Sequence, residues 1–470
     1  MKSLFACFVF VTACWVGSLQ LPAQTPAALP DSFDIQAIDT FLAQTLQQKG
    51  QPGFSVAIVK NGEVVLAKGY GKRSLEDGRP VETDTLFAIG SVSKQFTCAA
   101  ILLLAEDGKL SVHDKVAKYY PDLTRANDIT LLDLMNHVSG IPDYYPLDFV
   151  DRRMRQPIDP DALLRRYAGG KLDFEPGSKY SYSNTGYILL GRVVEKVGGK
   201  PFGEFLAERL FKPLGMNHTV HEPELSDPRL ARGYTIFALG ASEYTDPEAS
   251  GWIGAAGGIY STPSDLAKWN LALIGGKVLK PESYALMTSP RNLAGGKVSE
   301  YGCGLGVRMQ SNRQVLTHGG AVSGFVTFNG TVPSTRSSLT LMCNQDAGSG
   351  PLAGQIFSLL LKEPSNVPTI RGLSTADAVK RAFAGFQKGR VNRSEFSEEF
   401  NHYLTDTKLA GAAKRLKGYG KPQKVEVLST NERGGMEVTT SRLTFKKGTL
   451  QALMYRMPDG TIEQFFIYPD

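Results

Sequence analysis

The sequence predicts an α+β fold: one antiparallel sheet flanked by helices, with a large helical insertion lobe, followed by a small C-terminal α+β domain. Three observations carry this. A β-rich run, "FSVAIVKNGEVVLAKGYG", lies near the start, and further strand patterns, "YGCGLGVRMQ", "QVLTHGG", "GFVTFNGTV" and "SLTLMCNQ", return only after residue 300. Between them, residues 108–250 read as helical patterns and loops. Strands separated in this way can join one sheet, leaving the helices as a second lobe with a cleft between the two. Past "EPSNVP" (residues 363–368) the character changes again, to helices followed by four strand-like runs.

In chain order, "MKSLFACFVFVTACWVGSLQLPAQTPAALP" places one lysine before an apolar stretch, then small residues and prolines. This is the pattern of a secretory leader. Val11-Thr12-Ala13 ahead of Cys14 also fits a bacterial lipoprotein site, but apolar residues continue to Leu21, which favours cleavage after Ala23 or Ala28. The expectation is a leader over residues 1–28 and a secreted or periplasmic protein, with lipid anchoring through Cys14 left open. Asp34 to Gln48 carries Ile35, Ile38, Phe41, Leu42 and Leu46 at helical spacing, a surface helix. Asn61-Gly62 tolerates positive φ at both positions and so predicts a hairpin. Residues 91 to about 107 read as a helix with Phe96, Ala99, Ala100, Leu103 and Leu104 inward and Gly108 as its stop. Thr262-Pro263 opens another, with Leu266, Trp269 and Leu273 on its inner face. Helical stretches between Ser374 and Leu416 precede strands turned at Asn431 to Gly435, Lys446-Lys447-Gly448 and Pro458-Asp459-Gly460. The expected domains are 32–362 and 369–470.

Composition narrows the function. The chain has 470 residues, 42% hydrophobic and 21% charged, which is globular, with length enough for two domains. Residues 366–470 hold 17 Lys+Arg against 11 Asp+Glu, the whole of the net charge of +6. This basic excess lies apart from the motifs below and lacks the aromatic grouping of a nucleic-acid surface, so no nucleic-acid partner is expected. A solvated face is the default reading of the excess, and contact with the cell envelope the alternative. Outside the leader, Cys98, Cys303 and Cys343 sit in apolar stretches with no close spacing, as buried free thiols would. His218 and His221 lack a His-Glu-x-x-His context, and no Gly-x-Ser-x-Gly elbow or phosphate loop occurs. No metal or cofactor is expected.

The chemistry centres on "AIGSVSKQFTCAAILLLAEDG", which sets Ser91 three residues before Lys94 at the start of a helix. A serine hydroxyl is a weak nucleophile until a base removes its proton. Lys94 falls on the same helix face, and apolar neighbours would lower its pKa by disfavouring the ammonium. The helix N-terminus adds N–H groups suited to an oxyanion. Alone, the pair reads more readily as an exposed first-turn serine and lysine. Two further stretches give it partners: "PGSKYSYSNTGYILLG", with Tyr182-Ser183-Asn184, and "VLTHGGAVSGF", with His318-Gly319-Gly320 at a strand end.

Together the three resemble the serine β-lactamase and penicillin-binding-protein superfamily, particularly its class C and D-alanyl-peptidase branch, peptidase family S12. That group carries Ser-x-x-Lys, Tyr-x-Asn and then Lys- or His-x-Gly in the same order. "ITLLDLMNHVSGIPDY" and "GAAGGIYSTPSDLAKW" look like the family as well, and the resemblance spans about residues 34–360. It implies a β-lactamase/transpeptidase-like fold, with Ser91 as the acylated nucleophile and Lys94 as its activating amine. Tyr182 would shuttle protons, with its phenolate stabilised at least transiently by cationic Lys94, and Asn184 would bond Lys94 or a substrate amide. The Ala321 N–H would join that of Ser91 as oxyanion hole, with Gly320 keeping the strand clear of substrate. His137 would be structural, behind the nucleophile helix. Where β-lactamases of this branch usually carry Lys-Thr-Gly, His318 replaces a permanent cation by a group titrating near 6.5, so that its charge would govern carboxylate recognition.

The expected function is an exported serine hydrolase forming an acyl-enzyme on small amides or esters, D-amino-acid peptides among them. The alternatives are a carboxylesterase with weak β-lactam hydrolysis, and a slowly deacylating penicillin-binding sensor or scaffold.

Overall fold

The computed structural model describes residues 29–30, 32–145, 152–346, 350–362 and 367–470. The predicted leader, with Cys7 and Cys14, lies outside the described residues. The chain divides into two compact units, Met1–Ser358 and Leu359–Asp470. The division falls within a helix, Gly350–Leu361, just ahead of the segment where the composition changes.

In the first unit, α1 (Ile35–Lys49) begins at Asp34, whose carboxylate accepts from the N–H of Gln36 and Ala37, and ends on Gly50 at φ 60°. The hairpin follows as β1 (Gly53–Lys60) and β2 (Glu63–Gly71), turned at Asn61 (φ 54°) and Gly62 (φ 89°). The late strands are β3 (Gly306–Gln310), β4 (Arg313–Val322), β5 (Phe325–Val332) and β6 (Ser337–Cys343). All six make one antiparallel sheet in the order β2-β1-β6-β5-β4-β3. The first hairpin therefore docks on the last strand, Phe54 opposite Cys343 and Val56 opposite Leu341. β1 is almost wholly buried, whereas β2, at the edge, is mostly exposed.

The insertion supplies most of the core. Residues Gly90–Ser93 form a 3₁₀ turn that feeds directly into α2 (Lys94–Glu106). Sequence periodicity predicts one buried face for α2, but every residue from Lys94 to Leu104 is buried. The reason is that α2 has neighbours on every side. It contacts α3 (Asn184–Gly198) and the short helix Gly254–Gly257, while Phe96 meets Trp269 of α4 (Pro263–Ile274) at 4.3 Å between ring centroids. Trp269 in turn donates its indole N–H to the Gln95 side chain at 2.9 Å. Each large apolar side chain so enclosed stabilises the fold by about 1.5–3 kcal/mol. Thr262 caps α4, its hydroxyl accepting from Asp265 N–H, and Ala267 of α4 packs on Ala57 and Val59 of β1. α5 (Gly350–Leu361) closes the unit.

The second unit places α6 (Thr375–Lys388), α7 (Glu398–Tyr403) and α8 (Asp406–Leu416) before a meander. Its strands, β7 (Lys424–Arg433), β8 (Met436–Phe445), β9 (Gly448–Arg456) and β10 (Ile462–Pro469), pair in sequence order. Its own core joins Phe383 and Phe386 of α6 to Leu443, Phe445, Met454 and Phe465 of the sheet. Arg456 is buried against Glu437 at 2.6 Å, and its other N–H groups reach the Leu373 carbonyl at 2.8 Å and the Thr375 hydroxyl at 2.7 Å. Among the described residues no helix is long and apolar enough to cross a membrane.

Candidate active site

The 3₁₀ turn decides the position of the nucleophile. With three residues per turn, side chains at i and i+3 eclipse, and the Lys94 Nζ lies 3.1 Å from the Ser91 Oγ. Gly90, at φ 50°, begins the turn, and a Cβ there would lie 2.8 Å from the Ala321 nitrogen. The turn thus sits directly against β4. Ser93 fixes its other end, accepting from Ile259 N–H at 3.2 Å.

Lys94 is fully buried and has two further partners, the Asn184 Oδ1 and the Ala256 carbonyl, both at 2.7 Å. Burial lowers its pKa to about 7, although nearby Asp143 pulls the other way. The Asn184 amide is oriented by Asp143, which accepts from its Nδ2 and from its backbone N–H, each at 3.0 Å. Asn184 opens α3 because Ser183 caps that helix, its hydroxyl accepting from Gly186 N–H. The residue before the cap is Tyr182, whose ring lies 4.8 Å from the Lys94 Nζ.

A cleft of about 860 Å³ opens over this group. Ser91, Tyr182, Asn184, His318, Gly320 and Ala321 all line it, so the structure brings the sequence-predicted residues together around one space. Asp143 and Asp346 line it as well, and none of the described lining residues is Lys or Arg.

The surroundings define four of these residues further, and two of them, His318 and Gly320, depart from expectation. Burial raises the Tyr182 pKa well above its ordinary value, against a smaller lowering by its hydrogen bond with Ser91. At rest Tyr182 is therefore a phenol, and a phenolate forms only transiently. His318 is buried, and desolvation with the positive charge of Lys94 drives its pKa down to about 4. Both its nitrogens are also engaged, Nε2 with the Tyr301 hydroxyl at 2.8 Å and Nδ1 with the Gly319 carbonyl at 2.6 Å. A neutral, internally satisfied imidazole cannot switch charge near pH 6.5. Gly320 serves the nucleophile turn more than the substrate. A Cβ on it would stand 1.9 Å from the Ile89 carbonyl and 3.3 Å from the Ser91 nitrogen, while Gly319 is the open one. His137 packs on Tyr182, with ring centroids 4.2 Å apart.

Sequence reasoning missed Asp143, the Ala256 carbonyl and Tyr301. Asp143 sits in "GIPDYY", where an acidic residue among turn formers carries no periodic signal. The Ala256 contribution is backbone and invisible to residue type. The described cysteines, Cys98, Cys303 and Cys343, are buried and form no disulfide.

A serine and a desolvated amine at a helix start, beside a sheet strand and under an open cleft, define a serine hydrolase. The Beta-lactamase family matches residues 38–359, and the chain belongs to that family. Within it, the chain is 30% identical over 324 residues to penicillin-binding protein 4* of Bacillus subtilis (strain 168), covering 65% of this chain and 71% of that protein. It is 30% identical over 335 residues to a D-aminopeptidase of Brucella anthropi, covering 70% of this chain but only 63% of that one. Among solved structures it resembles the D-amino acid amidase from Ochrobactrum anthropi SV3 complexed with L-phenylalanine amide. The TM-score is 0.61 at 25% identity, over 70% of this chain and 99% of that one. The octameric penicillin-binding protein homologue from Pyrococcus abyssi, at 20% identity and TM-score 0.60, shares the fold over 93% of this chain and 100% of its own.

Proposed function

We propose that the protein is an exported amidase of D-amino-acid derivatives, working through an acyl-enzyme on Ser91. The observation that carries the mechanism is the contact between Ser91 and the buried Lys94, whose pKa lies near 7. The free amine has two N–H groups, which suit the Asn184 Oδ1 and the Ala256 carbonyl, and one lone pair, which then faces the Ser91 hydroxyl. Lys94 takes the Ser91 proton as the oxygen attacks the substrate carbonyl. The N–H groups of Ser91 and Ala321 receive the oxyanion. Tyr182, held as a phenol, gives its proton to the departing amine, and the Lys94 ammonium, whose Nζ lies 4.8 Å from the Tyr182 ring, returns one to the phenolate so formed. Water then repeats the cycle to free the acid.

The cleft supports the choice of substrate. With carboxylates at Asp143 and Asp346, no Lys or Arg among its described lining residues and a neutral His318, it favours amino-bearing or neutral acyl groups over carboxylates. The relatives named D-aminopeptidase and D-amino acid amidase support the same reading. The absence of a carboxylate-reading cation equally favours the carboxylesterase alternative. Export rests on the composition of residues 1–28.

Parallel turnover of D-alaninamide, its N-acetyl derivative, a nitrophenyl ester and a chromogenic cephalosporin tests the proposal. The free-amine amide should lead its N-acetyl form by about tenfold or more, the scale of one charge-assisted contact. Ester turnover without amide turnover selects the esterase, and dominant cephalosporin hydrolysis overturns both. Ser91→Ala should abolish every activity.

A further inference from the structure

We infer that His137 is a positioning residue for Tyr182, holding the phenol over Ser91 from three directions. The inference rests on the proposed role of Tyr182 as proton donor. The His137 carbonyl accepts from the Ser181 N–H at 2.9 Å, and its Nδ1 accepts from the Ser183 N–H at 3.1 Å. Both residues flanking Tyr182 are thus tied to one side chain and its backbone. Between these ties the imidazole lies against the Tyr182 ring, tilted 33° at 4.2 Å.

The local structure accords with this use of the ring. His137 follows the short helix Leu131–Met135, which Thr130 and Asp133 cap reciprocally, and it adopts φ 58°. Histidine, like asparagine, enters that left-handed region more readily than most residues. The turn lets His137 present its carbonyl and its ring to the same Ser181–Ser183 segment. Because Nδ1 accepts, the proton of the neutral ring resides on Nε2, and Nε2 is buried with no hydrogen-bond partner among the described residues. A buried orphan donor is a cost that the fold accepts. What the ring gives in return is its Nδ1 and its face. Tyr187 and Tyr301 enclose the other sides, each with ring centroids 4.9 Å from that of His137. The imidazole therefore has no room to move away from Tyr182.

The test separates leaving groups. An unactivated amide needs a proton for its departing amine, whereas nitrophenolate leaves without one. His137→Gly, which adopts positive φ without strain but lacks ring and acceptor, should lower kcat for D-alaninamide about 10–100-fold and kcat for the nitrophenyl ester less than about threefold, with KM nearly constant. His137→Asn, which keeps an acceptor near the Nδ1 position and tolerates the backbone, should recover most of the amide activity. In a Tyr182→Phe background, His137→Gly should have almost no further effect on the amide. Equal losses on amide and ester, or additivity with Tyr182→Phe, would overturn the positioning role while leaving Tyr182 as the donor. Full amide turnover by Tyr182→Phe alone would overturn both. Should the glycine variant fail to fold, the same cycle with His137→Leu, which fills the space of the ring but lacks the Nδ1 acceptor, decides through its amide-selective loss.

Discussion

Lys94 is buried and, as a free amine, meets its three partners with two N–H groups and one lone pair, and its behaviour with pH follows from that burial. The active form is the amine, so kcat/KM for the amide should rise with pH through about 7. The Asp143 charge favours the ammonium. Asp143→Asn should therefore move that acid limb to lower pH, by about one unit for a carboxylate at such range, and should lower kcat by releasing the Asn184 amide to rotate. A limb that stays in place would show that Asp143 does not act on the amine. Stability carries the same signature. A free lysine titrates at 10.5 and Lys94 at about 7. Between these values the unfolded chain binds a proton that the folded chain does not, so stability rises with pH across that window and the contribution levels off below it. Denaturant unfolding of the native protein should gain about 1.4 kcal/mol per pH unit relative to Lys94→Met over that range. Parallel slopes for the two proteins would mean that the amine is not held neutral by burial. The identity of this residue was legible in the sequence, as one member of Ser-x-x-Lys. Its partners were legible only in part, because Ala256 contributes a carbonyl and Asp143 reaches Asn184 across 41 positions.

At the scale of elements, the site depends on how closely β4 can run beside the nucleophile turn. Gly320 permits this approach, since a methyl group in its place would meet the Ile89 carbonyl at 1.9 Å, whereas at Gly319 the nearest atom would be 3.9 Å away. Gly320→Ala should abolish acylation of Ser91, read as loss of covalent labelling by a fluorophosphonate, with far-UV circular dichroism unchanged. Gly319→Ala should label at the native rate. The opposite ranking would place the close approach at the wrong glycine. The hairpin, the late strands and the capped α4 were readable from turn chemistry and alternation, which are local signals. The 3₁₀ start of the nucleophile helix and the burial of α2 on all sides were not. The burial follows from tertiary neighbours such as Phe96 against Trp269, and a period of 3.6 reports neither feature. The lowered pKa of His318 was unreadable for a similar reason, since it comes first from burial and then from the charge of Lys94, which lies far off in the chain.

For the whole molecule, every residue placed in the cleft belongs to the first unit, and the second has its own aromatic core and its own buried Arg456–Glu437 pair. A chain ending at Lys362 should therefore fold and turn over the nitrophenyl ester within about threefold of the full protein, a difference of less than 1 kcal/mol. Soluble but inactive protein would assign the second unit a part in the chemistry. The chain divides into its two units inside α5, a boundary that was not legible in the sequence because a helix carries no sign of where contacts thin out. The sheet order has a consequence for how the protein is made. Because β1 lies between β2 and β6, the hairpin synthesised first has no strand to join until Ser337–Cys343 has been translated. Such distant pairing pays its loop-closure entropy before any contact repays it, which slows folding. A growing chain thus stays open through most of its synthesis and closes late and cooperatively. Ribosome-stalled chains ending before residue 337 should be digested readily by protease, with resistance appearing only once β6 has cleared the exit tunnel.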